Sequence, residues 1–256
     1  MDVGEVVERI ARRPAAAGLF LDLDGTLAPI VARPELARVL PEVPSVLTRL
    51  VGKLGAVAVV TGRRSEDVPN LVDVEGVLAV GTHGLESEPP MPPQAMREIE
   101  RVAADVGAWV EPKGAAVAVH FRGVDDPLTA ALAAEPALAA VAEVNGLELL
   151  GGKRILELLP GDRPRKGDAV ERIARERALG SVVYCGDDVG DLDAFAALVR
   201  LRASGVWTCG VVSQGAETPS AVVDAADLAV PGPPGVVSLL TSVADAIDAS
   251  APDRPR

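Results

Sequence analysis

The segment that most constrains the fold is LFLDLDGTLA, residues 19–28. Its apolar start predicts a short buried strand, because the run is too short for a helix of its own. Asp22 and Asp24 then lie at the carboxyl end of that strand, where open α/β sheets bind ligands. Two neighbouring carboxylates repel each other and lose hydration, so the pair indicates a bound cation or a reaction. The ordered string favours a nucleophile at Asp22 with an acid/base partner at Asp24 over a simple Asp-Gly turn.

The amino-acid composition argues against several classes of binding partner. A net charge of −12, from 37 acidic and 25 basic residues, argues against binding to a nucleic-acid backbone. Three Phe, two Trp and one Tyr leave an aliphatic core and no stacking platform for single strands. No run approaches the 18 apolar residues of a membrane span, and the charged N-terminus has no signal-peptide core. We therefore expect a soluble cytoplasmic monomer without nucleic-acid or membrane partners.

The first part of the chain alternates apolar runs with helical spacing, which predicts a parallel sheet with helices on both faces. Strands are expected at residues 18–23, 56–60 and 77–80, and helices at residues 2–13, 41–54 and 65–71. The same pattern returns with helices at 166–179, 191–199 and 235–247 and strands at 181–185, 206–212 and 227–230. The fold class is therefore α/β.

A different pattern separates these two parts. After a Pro-rich linker at residues 86–94, helices are expected at 95–109 and 126–144, a strand at 115–122, and a hairpin of 147–150 with 154–158. These elements predict a small α+β domain inserted into the larger one. We assign residues 1–86 and 161–256 to the core and residues 87–160 to the inserted domain.

Polar residues follow several of the predicted parallel strands. They are Asp22 and Asp24, Thr61-Gly62-Arg63, Gly81-Thr82-His83-Gly84, and Gly186-Asp187-Asp188 with Asp191. Taken alone, each of these groups is also typical of a turn or a helix cap. Because the ends of parallel strands meet at one edge of the sheet, three or four carboxylates should converge there. Such a cluster is a hard-oxygen site suited to Mg²⁺.

Two further residues could bind an anion at that edge. Thr61 can donate from its hydroxyl and its backbone N–H, although it could equally cap the following helix. Lys166 lies near a predicted helix N-terminus, where a cation is unfavourable unless an anion binds beside it. The alternative for Lys166 is an ordinary solvated lysine.

Taken together, the motifs DxDGT, TGR, Lys-Gly and GDDxxD resemble those of the haloacid-dehalogenase (HAD) phosphatase superfamily. The segments EPKGAAVAVHFR and GGKRILELLP extend the resemblance to its trehalose-6-phosphate phosphatase family, from about residue 16 to residue 245. This resemblance implies a Rossmann-like HAD core with an α+β cap domain inserted after the third core strand. It also implies Mg²⁺-dependent hydrolysis of trehalose 6-phosphate to trehalose and phosphate.

The resemblance also implies roles for individual residues. Asp22 would attack phosphorus and form an aspartyl-phosphate, while Asp24 protonates the leaving sugar oxygen and then activates water. Thr61 and Lys166 would bind the transferring phosphoryl group. The implied Mg²⁺ ligands are Asp22, the backbone carbonyl of Asp24, and Asp187, with Asp188 or Asp191 beside or just behind them. The expected substrate-binding residues are Gly62, Arg63, His83, Glu111, Lys113, Arg122, Lys153 and Glu157, with Glu111, Lys113 and Glu157 favoured for disaccharide hydroxyls.

The chain departs from the family pattern at three places. Thr61 stands where many members have Ser, Leu192 follows Asp191 where many relatives have an acid, and Pro112 separates Glu111 from Lys113. The last two leave another sugar phosphate or a pseudo-disaccharide phosphate open as the substrate.

Two other classes of protein are disfavoured. The Gly-Thr after the acids and the later Lys and GDD argue against a metal-binding DxD of a glycosyltransferase. The intact motif residues argue against a non-catalytic binding partner on this fold.

Overall fold

The computed structural model describes residues 1–31, 33–81, 89–152, 154–162 and 165–250. Numbered along the chain, the strands are β1 (Ala17–Leu21), β2 (Ala56–Val60), β3 (Leu78–Val80), β4 (Trp109–Lys113), β5 (Ala116–His120), β6 (Leu147–Gly152), β7 (Ile155–Pro160), β8 (Ser181–Gly186), β9 (Trp207–Gln214) and β10 (Leu228–Pro231). The α-helices are α1 (Val3–Arg12), α2 (Val43–Leu50), α3 (Val68–Val72), α4 (Pro93–Asp105), α5 (Pro127–Val144), α6 (Lys166–Glu176), α7 (Leu192–Ala203), α8 (Ser220–Ala225) and α9 (Gly232–Ser250).

Six of these strands form a parallel sheet in the order β10-β9-β8-β1-β2-β3. Every residue of β1 is buried, and its side chains alternate between two apolar clusters on opposite faces of the sheet. Leu19 and Leu21 join the cluster with α1, α2 and α9, whereas Phe20 joins the cluster with α6 and α7. Burial on both faces explains why this strand is a continuous apolar run. The predicted α/β core, with helices on both faces, is confirmed.

The other four strands form an antiparallel sheet in the order β4-β5-β7-β6, which we call the cap sheet. Helices α4 and α5 cover one face of it through an apolar cluster that includes Val117, Val119 and Leu158. Side chains alternate along each strand, so the neighbours of these residues face the other way. The face of the cap sheet without helices therefore carries a separate set of residues, including Glu111, His120 and Glu157. This face lies over the core.

The structure differs from the prediction at two places. The helix expected to run through Trp109 ends at Asp105, and Trp109–Lys113 forms β4. Gly107 ends the helix with a φ of 72°, a backbone conformation that costs glycine least. The short helix α8 has no counterpart in the prediction. The boundaries of the inserted domain stay a prediction, although β4 to β7 and the two helices fall within it.

Helix α5 bears on the expectation that no segment of the chain is apolar enough to span a membrane. By length and composition its 18 residues are apolar enough to cross a membrane, contrary to the prediction. The helix is alanine-rich and contains two glutamates and Pro136. Its buried residues, among them Ala134 and Leu138, pack in the apolar cluster of the cap sheet. Packing accounts for these residues only, because 28% of the helix is buried and Leu128, Leu132 and Val144 are exposed.

Candidate active site

Three adjacent strands bring the predicted site residues to one edge of the core sheet. Asp22 directly follows β1, and its backbone N–H bonds to the carbonyl of Cys185 in β8 at 2.9 Å. Thr61 follows β2, and Asp187 follows β8. Because β8, β1 and β2 are neighbours, these residues converge as the sequence predicts.

A buried lysine joins two of the acids. The Nζ atom of Lys166, at the start of α6, lies 2.7 Å from Asp22 Oδ1 and 2.7 Å from Asp191 Oδ1. The lysine side chain is only 6% exposed, so its charge is fully committed to these carboxylates. This arrangement excludes the alternative of a solvated surface lysine.

Asp191 is held by hydrogen bonds on both of its oxygens. In addition to Lys166, its Oδ1 accepts from the Tyr184 hydroxyl at 2.6 Å. Its Oδ2 accepts from the backbone N–H groups of Asp187 at 2.8 Å and Asp188 at 3.0 Å. Asp191 therefore braces the turn that presents Asp187, and it orients Lys166.

The pKa values of two acids in this cluster are shifted in opposite directions. Burial raises the pKa of Asp22, Lys166 opposes the rise, and the carboxylates of Asp191 and Asp187 add to it. Burial also disfavours the charged form of Asp191, but Lys166, Tyr184 and the backbone donors hold its pKa below the usual value. The pKa of Lys166 is raised despite burial, because both acids face it. Asp191 and Lys166 thus form the stable ion pair, and Asp22 carries the electrostatic cost.

The donor set fits a divalent cation. One oxygen each of Asp22, Asp187 and Asp191 lies within 4.8 Å of the other two, and all three residues are buried. The cluster combines three carboxylates with the ammonium of Lys166, which contacts two of them, so a cation would offset the remaining negative charge. Oxygen donors of this kind suit Mg²⁺.

Gly25 is expected to be essential for the position of Asp187. Its φ is 86°, and a Cβ there would lie 2.0 Å from Asp187 Oδ2. We expect Gly25→Ala to displace that carboxylate, to lower by at least about tenfold the phosphate release that the sequence resemblance implies, and to cost about 1–2 kcal/mol for the left-handed backbone. Phosphate release and thermal unfolding measure both effects.

Gly52→Ala is the matched control, since Gly52 has a φ of 79° but no heavy atom within 4 Å of the position that a Cβ would take. It should show the backbone part of the stability loss, without the clash at Asp187, and unchanged activity. Equal activity losses in the two variants would contradict the role of Gly25.

Arg63 forms a two-pronged ion pair with Asp24. Its Nε lies 2.6 Å from Asp24 Oδ2, and its Nη2 lies 2.8 Å from Oδ1. The remaining nitrogen donates to the Pro34 carbonyl at 3.0 Å. Arg63 was predicted to bind substrate; it lines the cleft, and its guanidinium contacts Asp24 in the structure. A sequence motif cannot reveal such a partner.

The cap sheet places a charged network above the core. Lys113 Nζ lies 2.7 Å from Glu157 Oε1 and 3.7 Å from Glu111 Oε2. Glu111 Oε2 also lies 2.8 Å from His120 Nε2, and the His120 ring stacks on Trp109 at 3.9 Å between centroids. Burial opposes the charge of Lys113, yet Glu157 and Glu111 raise its pKa. Lys113 therefore stays charged at neutral pH.

A cleft separates this network from the acidic cluster. Its lining includes Asp22, Asp24, Thr61, Gly62, Arg63, Glu111, Lys113, Arg122, Glu157, Lys166, Asp187 and Asp188 among the predicted residues. Asp191 lies beneath the lining, and the predicted residues His83 and Lys153 lie outside the described part of the chain. Lining residues that sequence reasoning missed include Ile30, Val31, Pro34, Leu150 and Ile155. Apolar side chains of this kind carry no chemical signal in a sequence.

Comparison with known proteins agrees with this geometry. The family model described as trehalose-phosphatase matches residues 20–105 and 94–227. The chain belongs to the trehalose-phosphatase family. It is 33% identical over 208 residues to a trehalose-phosphate phosphatase of Mycolicibacterium paratuberculosis, with 73% of this chain and 52% of that protein covered. Probable trehalose-phosphate phosphatase 4 of Oryza sativa is 32% identical over 211 residues, with 73% and 57% covered.

Some relatives of this trehalose-phosphatase family member are much longer. An uncharacterized glycosyl hydrolase of Mycobacterium tuberculosis is 36% identical over 218 residues, but only 16% of that protein is covered, against 76% of this chain. The chain spans about half the length of the two relatives named above. Among solved structures, the C-terminal domain of the C. albicans trehalose-6-phosphate phosphatase superposes with a TM-score of 0.81 at 19% identity, covering 96% of this chain and 97% of that one. At this identity the likeness shows the fold.

Proposed function

We propose that the chain is a Mg²⁺-dependent phosphatase that hydrolyses trehalose 6-phosphate to trehalose and phosphate. The observation that carries the proposal is the buried contact of Lys166 with Asp22, at the base of a cleft roofed by Glu111, Lys113 and Glu157. A nucleophilic carboxylate, a phosphate-binding cation and a polar roof for a sugar are the parts that this reaction needs. Membership of the trehalose-phosphatase family supports the sugar.

In the first half-reaction, a carboxylate oxygen of Asp22 bonds to phosphorus, and the bond from phosphorus to the sugar oxygen breaks. Lys166 and Thr61 hold the transferring phosphoryl group, and Asp24 delivers a proton to the departing sugar oxygen. Arg63, which contacts both oxygens of Asp24, holds that carboxyl group in the cleft.

In the second half-reaction, Asp24 removes a proton from water as the water oxygen attacks phosphorus. The bond from phosphorus to Asp22 breaks, which releases phosphate and restores the carboxylate. Asp22, the Asp24 carbonyl and Asp187 would hold Mg²⁺, whose charge would offset that of the phosphoryl group. Asp191 serves behind them, because its oxygens already accept four hydrogen bonds. Asp188 lies beside the set, with Oδ1 accepting from the Val189 N–H.

The decisive experiment is phosphate release from a panel of sugar phosphates, with Mg²⁺ or with a chelator. We expect trehalose 6-phosphate to be preferred and the chelator to abolish release. Absence of release from every member would overturn the phosphatase proposal. Release from other sugar phosphates but not from trehalose 6-phosphate would retain the chemistry and replace the substrate.

The cap network should determine substrate preference. We expect Glu157→Gln to lower kcat/KM for trehalose 6-phosphate by about tenfold, because a charged hydrogen-bond acceptor is lost. Turnover of p-nitrophenyl phosphate, which has no sugar, should stay within about twofold. Glu143→Gln, at an exposed position of α5, is the control. Equal losses on both substrates would refute sugar recognition by Glu157.

A further inference from the structure

Two arginines of the cap domain converge on one glutamate of the core. Arg122 Nη2 lies 3.1 Å from Glu217 Oε2, and Arg154 Nη2 lies 2.9 Å from Glu217 Oε1. Each carboxylate oxygen thus has its own guanidinium. Arg122 was predicted to bind substrate, and it does line the cleft, but this interaction ties it to the core.

The two arginines are held together on the cap. Arg122 follows β5, and Arg154 lies in the turn between β6 and β7. The backbone N–H of Phe121 donates to the carbonyl of Arg154 at 3.0 Å, which links the two segments. The guanidinium groups of the two arginines are therefore held close together on the cap domain.

The segment that carries Glu217 is held on the core side by hydrogen bonds of neighbouring residues. It lies between β9 and α8, where Thr218 Oγ1 accepts from the Gly215 N–H at 2.9 Å and donates to the Ser213 carbonyl at 3.3 Å. The Ser213 hydroxyl in turn donates to the Gly25 carbonyl at 2.6 Å. The glutamate is thereby connected to the segment that follows Asp24.

The strength of this contact suits a reversible closure. The side chain of Arg122 is 15% exposed, whereas those of Glu217 and Arg154 are 37% and 52% exposed. Partly solvated ion pairs are weak and screened by salt, so they can form and break in each catalytic cycle. A second cross-domain pair, Arg165 with Glu148 at 3.2 Å, lies where the chain returns from the cap to the core.

We propose that Glu217 is a positioning residue that holds the cap domain closed over the cleft through Arg122 and Arg154. The catalytic part of this inference rests on the proposed phosphatase function. Closure brings the sugar-binding network over the acidic cluster, so losing Glu217 shifts the population towards open forms. A substrate that needs the cap network must then supply part of the closing free energy, which raises its KM.

A distance measurement tests the closure without any substrate. Spin labels at Leu132→Cys on α5 and Val199→Cys on α7 use side chains that are 60% and 61% exposed, and both native cysteines are buried. We expect Glu217→Gln to add a longer-distance population, while Glu135→Gln on exposed α5 matches the wild type. Unchanged distances in Glu217→Gln would overturn the proposal.

Kinetics provide the second test. Glu217→Gln should raise KM for trehalose 6-phosphate about threefold and leave kcat, and KM for p-nitrophenyl phosphate, within about twofold. Arg154→Gln lies outside the cleft lining and should act alike, with the double variant no worse than either single one. Additive effects, or equal effects on both substrates, would contradict the inference. If the wild type hydrolyses neither substrate, the proposed function fails, and the distance measurement still decides the closure.

Discussion

Replacing Asp22 by Asn is expected to lower phosphate release by about 10⁴-fold or more, because an amide cannot form the aspartyl-phosphate. The same change should leave the protein at least as stable as the wild type. Burial raises the pKa of Asp22, so its ionised form opposes folding at neutral pH. The substitution would remove one of three clustered carboxylates and leave the Lys166–Asp191 pair intact. Activity and stability should therefore change in opposite directions.

Phosphate release and urea unfolding at neutral pH measure the two effects. Asp125→Asn, at an exposed position outside the cleft, is the control and should change neither. Turnover within about tenfold of the wild type would refute Asp22 as the nucleophile. A large loss of stability in Asp22→Asn would contradict the electrostatic cost that we assign to this carboxylate.

The strand ends could be predicted because β1 and β2 are buried on both faces. Such strands are continuous apolar runs, and each one stops at the polar residue that enters the site. The range Ala56–Val60 is accordingly the same in the prediction and the structure. β4 could not be recognised in this way, because Trp109–Lys113 is partly exposed, contains a proline and begins shortly after a helix ends at Asp105. Its alternation becomes readable only when β5 lies beside it.

The ion-pair partners of the cationic side chains could not be predicted from the sequence for a different reason. Lys166 and Asp22 are separated by 144 positions, and Arg122 and Glu217 by 95 positions. No local pattern states which carboxylate a cation will meet after folding. The resemblance implied a substrate-binding role for Arg63, and nothing in the sequence indicated that its guanidinium would contact the intramolecular Asp24. Motifs thus identified the groups of the site, while topology assigned their partners.

Replacing Lys166 by Met is expected to cost about 3–5 kcal/mol of unfolding free energy at neutral pH. The buried carboxylates of Asp22 and Asp191 would then face each other without their shared ammonium. In a chain of this size the melting temperature should fall by about 2–4 °C for each kcal/mol lost. Lys53→Met is the control, because the ion pair of Lys53 with Asp248 is about 40% exposed and should contribute little to stability.

The stability deficit of the same variant should depend on pH. In the wild type the pKa of Asp191 is lowered, so its contribution is present above the unfolded carboxyl pKa of about 3.9 and is lost in acid. The raised pKa of Lys166 keeps its own contribution complete at neutral pH, with loss only in strong alkali. Without the ammonium, burial raises the carboxyl pKa values of Asp22 and Asp191, so protonation relieves the penalty as pH falls. Urea unfolding of Lys166→Met should thus show a smaller deficit relative to the wild type near pH 5 than near pH 7.5. A deficit that stays constant across this window would mean that lost packing, rather than uncompensated charge, accounts for the destabilisation.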